Sequence, residues 1–158
     1  MAVLTPLAAY TATDDKKLKL DPEGGLQTLI FEITLAGTED AEDVQPMIRL
    51  PFPMRLVGAW CQIVTDLAET CTIDLGMGTY DATAGTVTFT NAGGDADGFV
   101  NGFDVEACND AALAVQWIPL AAGLRNTYTN EASPDLILTH KTGTDISGAY
   151  LLRLDLLP

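Results

Sequence analysis

The chain has 158 residues, and its 22 acidic side chains against 8 basic ones leave a formal charge of −14. A surface of that sign repels phosphate backbones out to a Debye length of about 8 Å, which excludes direct nucleic-acid binding as an expectation. Apolar residues at 47%, charged residues at 19%, 14 glycines and 8 prolines suit a turn-rich β fold with a core large enough to dispense with metal or disulfide staples.

The expected domain organisation is an extended N-terminal arm, residues 1–25, followed by one β-sandwich domain, residues 26–158. The opening MAVLTPLAAYTATDD lacks a basic leader with an unbroken apolar core, so export is not expected. No apolar run reaches the roughly 18 residues of a membrane span, so no membrane partner is expected. The mixed-charge DDKKLKLDPEGG then leads to turn signals at Asp21-Pro22 and Gly24-Gly25. Such an arm either frays or lies across a neighbouring subunit. In the second case Val3, Leu4, Leu7 and Tyr10 are its interface residues, because they gain something to bury against.

Leu29, Phe31, Ile33 and Leu35 alternate with Ile30, Glu32 and Thr34, the pattern of a strand buried on one face. Gly37 and the acidic run from Glu39 to Asp43 are expected to end it as a solvated loop. The prolines around Phe52 place MIRLPFPMRL at a sheet edge or at the stiff entry to the next strand.

From Pro51 to Leu75 the spacing predicts a β-hairpin with its turn between Thr65 and Thr70. Val57, Ala59, Cys61 and Ile63 face the core, as do Cys71, Ile73 and Leu75 on the return strand, with Arg55, Thr72 and Asp74 left to water. Leu56, Trp60 and Val64 occupy the other side of an inner strand. Cys61, Cys71 and Cys108 form an odd set without a CxxC pair and read as reduced core residues.

Short strands are expected at Thr86–Thr90, near Phe103–Ala107, at Ala111–Trp117, at Leu136–Thr139 and at Tyr150–Leu156. In the last, Leu152, Leu154 and Leu156 oppose Leu151, Arg153 and Asp155. Seven or eight short strands between Gly, Asn, Asp and Pro turns imply an all-β, antiparallel β-sandwich of jelly-roll or related Greek-key topology. The periodicity leaves the strand order open.

Asp95, Asp97, Asn101 and Glu106 fall at positions 1, 3, 7 and 12 of an EF-hand-like loop and are the one metal candidate, for calcium. Phe99 replaces an oxygen donor there, and the glycines sit at the wrong positions, so a plain surface loop is expected. The two serines, Ser133 and Ser147, lie in no GxSxG. His140 stands alone without a nucleophile, and phosphate-binding glycine motifs are missing. No catalysis and no cofactor are expected.

The proline entry, the RLVGAW strand, the short threonine-containing turn and the CTIDL strand, with Gly93-Gly94, Gly102 and the closing GAYLLRLDL, resemble small β-sandwich cement or decoration proteins of tailed-bacteriophage heads. That resemblance covers residues 26–158. It implies a non-enzymatic virion protein, made in the host cytoplasm, that sits on the outer capsid surface as a homotrimer and clamps neighbouring major capsid protein subunits. The alternative is a tail-tip or fibre-associated carbohydrate-binding domain, for which Tyr80, Trp117 and Tyr128 offer flat surfaces while Trp60 and Phe89 stay in the core.

Overall fold

In the computed structural model the described residues are 25–49, 55–67, 70–89, 95–108, 115–120 and 135–157, with backbone alone at 55, 95, 96 and 107. The arm and its candidate contacts Val3, Leu4, Leu7 and Tyr10 lie outside them, as does Tyr128.

The strands are β1 (Gln27–Glu39), β2 (Val44–Arg49), β3 (Arg55–Thr65), β4 (Thr72–Asp81), β5 (Thr86–Thr88), β6 (Asp95–Asp104), β7 (Gln116–Trp117), β8 (Asp135–His140) and β9 (Ile146–Leu157). They form two antiparallel sheets. One runs β1-β9-β3-β7; the other runs β2-β8-β4, with β6 and the short β5 both paired to β4. Early strands pair with late ones: β1 with β9, β2 with β8, β3 with β7 and β4 with β6. A chain doubled back on itself and then rolled into two facing sheets is a jelly roll, so the all-β sandwich expectation holds and its strand order is resolved.

The organising hairpin needs correction. β3 and β4 are consecutive, yet they sit in different sheets, so the chain passes between layers there and the two strands are not a hairpin. Both strands instead find partners far along the chain, because inner strands of a two-layer fold need neighbours on both edges. The core register survives with one exception. Ala59, Cys61, Cys71, Ile73 and Leu75 are buried and Ile63 packs against them, but Val57 points outward and Leu56 inward. A shift in the β3–β9 pairing between Leu56 and Gly58 turns the strand there by one residue, which exchanges the two faces.

β1 alternates as expected, with Leu29, Phe31, Ile33 and Leu35 buried. Its partner rows on β9 and β3 are Leu29–Leu154–Ala59, Phe31–Leu152–Cys61 and Ile33–Tyr150–Ile63, and these form one wall of the core. β1 continues through Gly37 (φ 81°) to Glu39 instead of stopping, and β9 starts two residues before Gly148. Pro46 lies in β2, at the sheet edge, where a missing N–H is tolerated.

Two segments outside the expected strands are strand. β4 runs on through Gly76, Gly78 and Tyr80 to Asp81, and β6 occupies Asp95–Asp104. β6 absorbs its glycines as bulges: between Ile73–Phe103 and Leu75–Val100 it carries one extra residue, and Gly102 there takes φ 61°. β8 is buried along its whole length because both of its faces are covered. On the outer side, Tyr80, Val87 and Phe89 from the β4–β5 region pack with Val44 and Ile137 in a second apolar cluster.

Candidate functional site

The acidic residues divide into exposed ones and a buried set that ties loops to the sheets. Glu39 and Asp43 are 8% and 6% exposed, so the run read as a solvated loop is in part a folded turn. The Glu39 carboxylate accepts N–H bonds from Ala36 and Thr38, at 2.9 and 3.0 Å, and Asp43 accepts one from Asp40. Burial pushes the Glu39 pKa up, but those N–H donors outweigh it and hold the group below its usual range.

Asp74, expected at the surface, is also buried. It accepts the N–H of Gly102 at 2.7 Å and pairs with Lys141 at 3.4 Å, which raises the Lys141 pKa. Asp135 holds Arg49 and the backbone N–H of Tyr80. Alternation marks which residues leave the core, but not that a carboxylate beside a bulge will be enclosed by the donors it satisfies.

The calcium candidates do not converge. Asp97 and Asn101 lie within β6 and bond to each other at 2.6 Å, while Glu106 lies beyond the strand in the 3-10 turn Glu106–Cys108. The Asp95 side chain lies outside the described residues. Among the described residues no group of His, Cys, Asp and Glu is gathered that could hold a metal ion.

His140 is fully buried at the end of β8, and among the described residues neither ring nitrogen has a hydrogen-bond partner. Burial lowers its pKa, against the opposing pull of Glu39 and Asp43. The three cysteines are free and buried, and Cys61 is hydrogen-bonded to Cys108. That bond and burial raise the Cys61 pKa, while burial pushes Cys71 up to about 12. The same bond lowers the Cys108 pKa, so the surroundings of an unreactive core thiol are those of Cys61 and Cys71.

A different arrangement appears on the outer face of the β1-β9-β3-β7 sheet. Ile30 pairs with Arg153, Arg153 with Trp60 and Trp60 with Trp117, so one row crosses all four strands. The indoles of Trp60 and Trp117 meet edge to face, with centroids 4.6 Å apart, and Arg153 lies 4.6 Å from the Trp60 centroid on its other contact. Arg153 also pairs with Asp155, which accepts the hydroxyl of Thr28 at 2.6 Å. Trp60 is therefore a half-buried outer-face residue and not core.

Ile30 is 65% exposed and Trp117 53%. The other large apolar residues that stand exposed among the described residues also belong to this sheet or adjoin its strands. Among the described residues the second sheet shows none, and Tyr80, Val87 and Phe89 of the β4–β5 region pack on its outer side. Of the aromatic candidates, Trp117 is open, whereas Tyr80 is partly buried against the second cluster.

No protein-family profile matches the chain, and no curated protein matches it by sequence. Two chains from solved structures share its fold. One, from the capsid of Ralstonia phage GP4, superimposes with a TM-score of 0.63 at 17% identity, over 99% of this chain and 97% of that one. The other, from the capsid asymmetric unit of cyanophage Pam1, gives a TM-score of 0.54 at 18% identity, over 94% of this chain and 99% of that one.

Proposed function

We propose that this chain is a non-enzymatic structural protein of a phage head. It binds the outer face of the capsid and stabilises the lattice at capsomer junctions as a homotrimer, with the major capsid protein as its partner. The observation that carries the reading is the end-to-end likeness, over 99% and 94% of the chain, to two chains found in phage capsids. The distribution of side chains agrees with it. A protein that acts as an assembled homotrimer on a shell needs adhesive surface and no chemistry, and the described surface has a single sheet face rich in exposed apolar side chains that can meet another molecule. Binding that favours the assembled lattice over free subunits stabilises the shell by mass action.

Purified protein mixed with undecorated heads and sedimented tests this. Saturable co-sedimentation, with raised resistance of the heads to heat, is the expected result. Saturable binding to host-cell glycans without binding to heads would instead favour the tail-tip reading, in which the open indole of Trp117 carries the ligand.

A further inference from the structure

Among the described residues the outer face of the β1-β9-β3-β7 sheet is exposed, so its cover comes from a segment outside them or from another molecule. We propose that the N-terminal segment of a neighbouring copy of this chain lies across that face, with Val3, Leu4, Leu7 and Tyr10 packed against Ile30, Trp60 and Trp117.

The place where the segment joins the fold supports this. The segment, residues 1–25, ends directly before the exposed Leu26 and the edge strand β1, at the border of the same face. From residue 25 back to residue 10 an extended chain reaches about 50 Å. The Trp60–Trp117 row is only about 20 Å from Leu26, counting three strand spacings across and four residues along. The segment can therefore cross to an adjacent copy.

Charge selects the occupant. In a chain of −14, residues 1–12 carry no acidic or basic side chain, so this tip can approach a second acidic copy with little repulsion. The face it meets offers Trp and Arg, the side chains that dominate interface energetics. A segment of one copy on the sheet of the next is a head-to-tail contact, which closes into a ring in a trimer. The inference concerns free copies and stands apart from attachment to a shell.

Trp60 and Trp117 are the two tryptophans of the chain, so indole emission reads this face alone. Full-length protein and its Leu4→Asp/Leu7→Asp variant are compared by acrylamide quenching across a concentration series, with sedimentation velocity alongside. On concentration the wild type should associate, shift its emission to the blue and lose quenching, while the variant stays monomeric and open to quencher. Tyr10→Ser, which adds no charge, should lose part of the shielding and serves if the double variant misfolds. Equal quenching of wild type and variants overturns the inference. So does shielding that is independent of concentration, which would put the segment on its own chain, and so does shielding that survives in the variants, which would assign the cover to another surface. An open face in a chain that still decorates heads overturns this inference alone and leaves the shell reading in place.

Discussion

Arg153 stacks on Trp60, 4.6 Å from the ring centroid, while its guanidinium also reaches Asp155 at 3.2 Å. One side chain thus joins the aromatic row to the polar row beside it, Thr28–Asp155–Gly58. Arg153→Ala is expected to cost about 0.5–1 kcal/mol, the usual worth of a partly exposed cation–π contact. Denaturant melts should show that small loss, and Trp60 emission should change as the ring loses its cover.

Gly148 tests the backbone. It holds φ 128°, and a Cβ there would lie 2.6 Å from the Asp66 carbonyl oxygen and 3.0 Å from that of Thr65. Those oxygens belong to the end of β3 and the crossover to β4, so nothing flexible can give way. Gly148→Ala should lower stability by about 2 kcal/mol or more, the sum of a strained conformation and a main-chain clash. Gly85 has φ 63° with nothing within 4 Å, and Gly85→Ala should cost about 1 kcal/mol. Paired urea titrations would check the difference.

His140 predicts acid sensitivity. Its folded pKa is lowered from 6.5 by burial, so the folded state favours the neutral ring. Its contribution is complete above 6.5 and declines as the pH falls from there toward the folded pKa, because the unfolded chain takes up the proton first. Glu39 acts in the same sense lower down: its folded pKa lies below 4.5, so its contribution is lost as the pH falls through that range. His140→Phe should flatten the stability profile just below neutrality and leave the Glu39 region sloping. Thermal melts across a buffer series measure both.

Asp74 holds the β6 bulge, accepting the Gly102 N–H and pairing with Lys141. Asp74→Ala leaves that N–H without its acceptor and should cost about 1–3 kcal/mol. Calcium should not replace it. With Asp97 and Asn101 bonded to each other and Glu106 beyond the strand, neither chelator nor added calcium should move the melting temperature.

The parts of the fold legible from the chain were those with unbroken alternation and few glycines. β1 shows four buried residues at spacing two, and β9 shows Leu152, Leu154 and Leu156, so their inner faces could be assigned before any pairing was known. β4 and β6 were obscured because Gly76, Gly78 and Gly102 look like turn residues, although here they are buried strand or bulge positions. Local spacing also cannot separate a hairpin from a crossover between layers. That choice depends on pairings such as Trp60–Arg153, whose partners lie far apart in sequence.

The candidate face was legible only in pieces. Trp117 was singled out as a flat surface and Ile30 as an outward position, but Trp60 was assigned to the core. Joining them requires the register of four strands. The buried acids Asp74 and Asp135 were likewise counted as surface charge or passed over, since their partners are a bulge N–H, a strand N–H and cations distant in sequence.

Cryo-electron microscopy of the intact particle is the most direct measurement of the shell assignment. Jelly-roll density for this chain, repeated on the outside of the head at capsomer junctions and grouped in threes, is the expected result. Density confined to the tail, or heads that carry no copy of the chain, would contradict it.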